Sequence, residues 1–223
     1  MAALSLKMKK RIISTVILVV VVLTTIPSLA GGSNADLPVW VTRELKHTVK
    51  FVSREFGFSS YFCAPVKQSE DTQVSVYKGV RYNLRGNAFL GFDKNAPFAF
   101  ATVVHKVTIP LDYAILADFP RSELPRLFSA MYDGWLEADE NFKLVERSDL
   151  STFKGYPASK FFMTSKNEQG LPFCMTGVLI VVPEQNAEYG LYFMTWGPKC
   201  ANQDRDVNSK YGQPFLDSFE ILR

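Results

Sequence analysis

The chain has 223 residues, 47% of them apolar, with 25 Lys and Arg against 22 Asp and Glu. Four of the basic residues and none of the acidic ones lie within residues 1–30, which leaves 21 against 22 beyond them. A near-neutral remainder without clustered Lys and Arg excludes a sequence-independent nucleic-acid surface, and about 190 residues suffice for one domain with its own core.

The N-terminus reads as a targeting segment. Lys7, Lys9, Lys10 and Arg11 precede an apolar run from Ile12 to Ile26, and Ser28-Leu29-Ala30 places small residues where a signal peptidase cuts, after Ala30. The run is shorter than the ~20 residues that span a bilayer comfortably, which favours cleavage, although extension through Ala30 leaves an uncleaved single-pass anchor as the alternative. Either outcome puts the remaining chain outside the cytoplasm, periplasmic or secreted. No Cys follows the run, so a lipid-modified N-terminal cysteine is excluded.

Gly31 to Asp36 is a short polar linker. Val41, Leu45, Val49, Val52 and Phe56 then recur at three- and four-residue spacing and predict an amphipathic helix ending before Gly57, so residues 31–56 form linker and helix. Arg43, Lys46, Lys50 and Arg54 on this segment raise peripheral membrane association as an alternative to packing on the domain, diluted by Glu44 and Glu55.

The domain proper is expected over residues 57–223. Phe58–Phe62 and Thr72–Leu90 are strand-like, with turns or bulges at Lys78-Gly79 and Arg85-Gly86. Phe98–Val107 is a clearer strand: Phe98, Phe100, Thr102 and Val104 share one face, Ala99, Ala101, Val103 and His105 the other. Ser122 reads as an N-cap for a helix carrying Leu124, Leu127, Phe128, Met131 and Trp135 on one stripe, with Glu137, Asp139 and Glu140 at its far end. Lys143–Ser148 suits a polar edge strand.

Three consecutive strands follow between Gly155 and Trp196. Phe173–Val182 is apolar on both parities and therefore central, and Gly177 within it marks a bulge or a close approach. Turns this short join neighbours as an antiparallel meander. Pro214 opens a short helix whose Phe215 and Leu216 dock on the sheet, and Phe219–Leu222 closes as an edge strand. The fold class is thus α+β: an antiparallel sheet of about six strands sandwiched by helices.

Phe58-Ser-Ser-Tyr-Phe-Cys-Ala-Pro65, Gly155-Tyr-Pro-Ala158, Tyr189-Gly-Leu-Tyr192 and Phe215-Leu-Asp-Ser-Phe219, in this order, resemble the PsbP-like family of extracytoplasmic proteins over roughly residues 57 to 222. Cys63 stands where relatives often carry the proline. The resemblance implies a sheet between helices and a binding or assembly role, with little chemistry attached.

Candidate sites are few. Among the three cysteines, Cys63 and Cys200 lie near loop boundaries and form the expected disulfide, leaving Cys174 a buried thiol, though three cysteines do not fix connectivity. A thiol hydrolase or ligand-binding protein using Cys63 and His105 is the alternative, and it requires the two within hydrogen-bond reach of each other. His47 and His105 are the only histidines, and no three-ligand spacing for a metal occurs. Asn202, Asp204, Asp206 and Asn208 alternate like calcium ligands but lack the glycine and terminal glutamate, and read as a polar turn. Serine-hydrolase, phosphate-loop and dinucleotide motifs are absent from the sequence, and no cofactor is expected. Tyr61, Tyr113, Tyr192 and Trp196 are candidate groove aromatics, against the plainer reading that a two-faced sheet needs large side chains for two cores. The expected function is a non-catalytic secreted or envelope-associated module that binds a protein partner or assists assembly of an envelope complex.

Overall fold

The computed structural model describes residues 49–77, 80–92, 98–107, 121–138, 141–166, 172–196, 200 and 211–222. The targeting segment, the linker, residues 41–48 of the expected helix and the Asn202–Asn208 turn lie outside them. In chain order the strands are β1 (Val49–Ser53), β2 (Phe58–Phe62), β3 (Val66–Tyr77), β4 (Val80–Phe92) and β5 (Phe98–Val107). A 3-10 turn, Arg121–Glu123, leads into helix α1 (Leu124–Ala138). Then come β6 (Lys143–Arg147), β7 (Ser151–Phe153), β8 (Tyr156–Lys166), β9 (Pro172–Val182), β10 (Ala187–Trp196), helix α2 (Gln213–Ser218) and β11 (Glu220–Ile221).

The expected meander is present. β8, β9 and β10 pair antiparallel in sequence, and the sheet continues on both sides to give the order β3-β4-β5-β10-β9-β8-β6, with β7 also paired to β8. Eight strands rather than six result, because β3 and β4 form a full hairpin in unbroken register through Arg85-Gly86 and β7 adds a short ribbon. β9 is central as its two apolar parities require. Gly177 interrupts neither of its ladders; a Cβ there would lie 2.7 Å from the Phe161 ring and against the Leu191 carbonyl, so the glycine marks close packing, not a bulge.

Two faces make two cores. Phe98, Phe100 and Val104 of β5 join Tyr189, Leu191 and Phe193 of β10 on one face, while Ala99, Ala101 and Val103 join Tyr192 and Met194 on the other. Small side chains on the second face leave room for α1, which buries Leu124, Phe128 and Tyr132 there. Pro125 is the helix's second residue and is tolerated. Ser122 lies inside the preceding 3-10 turn rather than flanking the helix as a cap.

The other face corrects the expectation of helices on both sides. Its cover is mainly a second, three-stranded sheet in the order β1-β2-β11, with the six-residue α2 beside it. Val49–Ser53 is a strand paired in register with β2, from Val49 opposite Phe62 to Ser53 opposite Phe58, and not part of a helix. The spacing of Val49, Val52 and Phe56 fits a helix, but Phe51 and Ser53 turn inward at a period of two, and the aromatic core beneath them decides the outcome. A helix as short as α2 is unstable alone. Phe215 holds it, stacked on Phe100 with ring centroids 4.6 Å apart and planes within 4°.

Polar latches join the layers. The Tyr189 hydroxyl lies between the Phe56 carbonyl oxygen, at 2.5 Å, and the side chain of Gln185, whose Nε2 donates to the Leu222 carbonyl at 2.6 Å. The Leu222 amide in turn donates to the Gly57 carbonyl at 2.8 Å, with Gly57 at φ +67°, a conformation that disfavours a side chain. Between β7 and β8, Lys154 and Gly155 form a two-residue turn with both φ positive. A lysine is unusual there, and its ammonium explains it: Nζ donates to the Asp217 and Phe219 carbonyls at 2.6 and 2.7 Å, capping the end of α2.

Candidate functional site

The three groove aromatics among the described residues do not converge. Tyr61 is 41% exposed on β2, Tyr192 is buried in the second core, and Trp196 is half-buried there against the Phe92 ring at 5.9 Å. Tyr113 lies outside the described residues.

The disulfide joins Cys174 to Cys200, with Cα atoms 5.5 Å apart, and corrects the expected Cys63–Cys200 pair. Thr195 of β10 sits opposite Cys174 of β9, so the chain leaving β10 passes close to Cys174, a proximity set by register and invisible in the spacing of cysteines. Cys63 is half-buried, outside the disulfide and packed on the first core, its Sγ donating to the Gly91 carbonyl at 3.3 Å. His105 belongs to the opposite face of β5, with Ala101 and Val103. The sheet therefore separates the thiol from the imidazole. Among the described residues no three His, Cys, Asp or Glu side chains gather to hold a metal ion.

A polar row inside the second core is what the sequence reading missed. Glu188 follows Ala187 at the start of β10 and shares a face with Tyr192 and Met194; it is only 8% exposed. Its neighbour across the ladder is His105 on β5, and on its other side Val181 on β9. Among the described residues no hydrogen bond or ion pair holds its carboxylate, and burial alone pushes its pKa up to about 7. Tyr192 folds back over Gly190, its ring and hydroxyl filling the place a Cβ would take. Burial raises the Tyr192 pKa, with further contributions from Tyr132 and Glu188. Tyr132 of α1 donates to Ser159 Oγ at 2.8 Å, Ser159 donates to the Ser148 carbonyl, and burial pushes Tyr132 up to about 12. The row can carry a proton at Glu188 near neutrality; its phenols stay protonated and serve as donors. The legible signal was a lone acid on the parity that should be buried, within an otherwise apolar strand.

A second feature faces outward. Lys50 and Tyr61 are opposite each other on β1 and β2, with Val52 and Ser59 next along the same face. The Lys50 ammonium lies 5.8 Å from the Tyr61 ring centre and 3.9 Å from a Glu220 carboxylate oxygen, to which Ser59 donates at 3.1 Å. Of the large apolar side chains that stand exposed among the described residues, Val49, Val52 and Tyr61 are on this hairpin, and Val145 and Leu150 are elsewhere.

No family model and no curated protein matches the sequence. Among solved structures, the chain is similar to the cyanobacterial PsbP of Synechocystis sp. PCC 6803, at 9% identity and a TM-score of 0.48 over 86% of this chain and 98% of that one. It is also similar to the Ran-binding protein Mog1p of Saccharomyces cerevisiae, at 9% identity and 0.36 over 69% and 97%. A third is LpqN of Mycobacterium tuberculosis, a protein involved in cell envelope biogenesis, at 11% identity and 0.34 over 86% and 100%. All three likenesses stand at 11% identity or less.

Proposed function

We propose that this chain is a non-catalytic, extracytoplasmic module that binds a protein partner or assists assembly of an envelope complex, using the outward face of the β1–β2 hairpin. The observation that carries the reading is the placing of exposed Val52 and Tyr61 on one face with Lys50, which pairs with Glu220. An exposed aromatic flanked by aliphatic residues and a polar rim is the usual make-up of an interaction face. Two further observations support it. Tyr189, Gln185 and Lys154 are engaged in joining layers, and the separation of Cys63 from His105 by the main sheet is unlike the geometry a thiol nucleophile and its base require. The N-terminal targeting pattern and the Cys174–Cys200 bond support an oxidising compartment outside the cytoplasm.

The test is site-specific photocrosslinking in the native envelope, with a benzophenone side chain at Tyr61 and, as control, at exposed Lys160 of β8. A discrete protein adduct from position 61, absent at 160 and lost with Val52→Asp, is the expected result. Equal labelling at both positions, or none at 61, would overturn the assignment of this face.

A further inference from the structure

We infer that the protein partner of the β1–β2 hairpin binds by strand addition: an extended segment of it, apolar on both faces, lies along the free edge of β1 and becomes a fourth strand of the small sheet. This rests on the reading proposed above and names its mode of binding. β1 is the outer strand in the order β1-β2-β11, and no described residue pairs with its far side. Such an edge offers a row of backbone donors and acceptors to an extended peptide.

Which groups it offers follows from the bonds of β2. The Tyr61 amide donates to Ser218 Oγ of α2 at 3.0 Å, and the Gly57 carbonyl accepts from the Leu222 amide just past β11. Gly57, Ser59 and Tyr61 therefore turn their main-chain groups towards α2 and β11. Direction alternates along a strand, so Phe58, Ser60 and Phe62 turn theirs to Ser53, Phe51 and Val49 of β1. The N–H and C=O groups of Lys50 and Val52, opposite Tyr61 and Ser59, are left facing the free edge. Among the described residues no hydrogen bond engages them.

The side chains beside that edge decide what the added strand carries. Val52 points outward with Tyr61 and is 49% exposed, while Val49 has the opposite parity, that of core-facing Phe51, and is 41% exposed. A partner resting on the outward face alone would cover Val52 and leave Val49 wet. A strand beside β1 covers both, and sets an apolar side chain next to Phe51, which is only partly buried at the rim of the first core. A lysine commonly guards an edge strand. Here the Lys50 ammonium leans the other way, over the Tyr61 ring and across β2 to Glu220 of β11.

Photocrosslinking in the native envelope, with the benzophenone at Tyr61 or at Val49, separates this inference from the reading beneath it. Strand addition predicts the same protein adduct from both positions. Val52→Pro removes the outward N–H without breaking a bond to β2, and should give about tenfold less adduct at 61 than Val52→Ala, which trims the side chain and keeps the N–H. An adduct at 61 that is absent at 49 and equal in the two variants overturns strand addition and leaves the reading standing. No adduct at either position overturns both, and an adduct of two copies of this chain overturns the partner assigned here. Should Val52→Pro fail to fold, amide exchange in the unaltered full chain decides. The Lys50 and Val52 amides are expected to exchange at least about tenfold faster than that of Phe51, and equal protection of the three refutes a free edge.

Discussion

Removing the Cys174–Cys200 bond tests the pairing and its energetic weight together. The two cysteines are 26 residues apart, and closing a loop of that length removes denatured-state entropy worth roughly 3 to 4 kcal/mol at 25 °C in the chain-entropy account. A Cys63–Cys200 bond would close a far longer loop, worth roughly 5 kcal/mol in the same account, a difference too small for stability alone to separate the pairings. The assay therefore has two arms. In urea unfolding under oxidising conditions, Cys174→Ala with Cys200→Ala should lower stability by about 3 kcal/mol, and reductant should lower the native protein to a similar level while leaving the double variant unchanged. In peptide mapping without reduction, Cys174 and Cys200 should emerge in one linked peptide and Cys63 should carry the alkylating label. A linked peptide containing Cys63, or a double variant within 1 kcal/mol of the native protein, would refute the reasoning.

Three further substitutions probe packing and latches. Gly177→Ala should cost about 2 to 3 kcal/mol, because the Phe161 ring can turn aside but the Leu191 carbonyl is held in the ladder; a cost under 1 kcal/mol in thermal or urea unfolding would show that the strands can part there. Lys154→Asn retains a residue tolerant of positive φ and removes both hydrogen bonds to the end of α2, so a loss of about 1 kcal/mol and faster amide exchange over residues 219–222 are expected, and unchanged exchange would deny the latch. The Thr102 hydroxyl is fully buried with no partner among the described residues, so Thr102→Val should raise stability by about 1 kcal/mol in the same assay; a loss of that size would contradict it.

What could be read from the sequence was what depends on local periodicity. The alternation of Phe98, Phe100 and Val104 with Ala99, Ala101 and Val103 assigned both faces of β5, and the double apolar parity of Phe173–Val182 placed β9 at the centre. Pro214 with Phe215 and Leu216 located α2. What failed depends on contacts distant in the chain. Val49–Ser53 matches a helical spacing and becomes a strand only because β2 and an aromatic core lie against it. The partner of Cys174 depends on where the chain turns after β10, and the isolation of Cys63 from His105 on which face of the main sheet each occupies. Glu188 was legible as a lone charge of the wrong parity, but its neighbour His105 is supplied by a ladder between strands more than eighty residues apart.

The small sheet that covers the first core draws β1 and β2 from near residue 50 and β11 from near residue 220. The aromatic side of β5 and β10 therefore has no finished roof until residues 211–222 are in place, since Phe215 and Phe219 belong to it. Its closing contacts, such as Glu220 opposite Ser59, join segments more than 150 residues apart, so a partly folded chain presents that surface until they form. Removing α2 and β11 would accordingly do more than shorten the fold: it would leave a permanently sticky aromatic face.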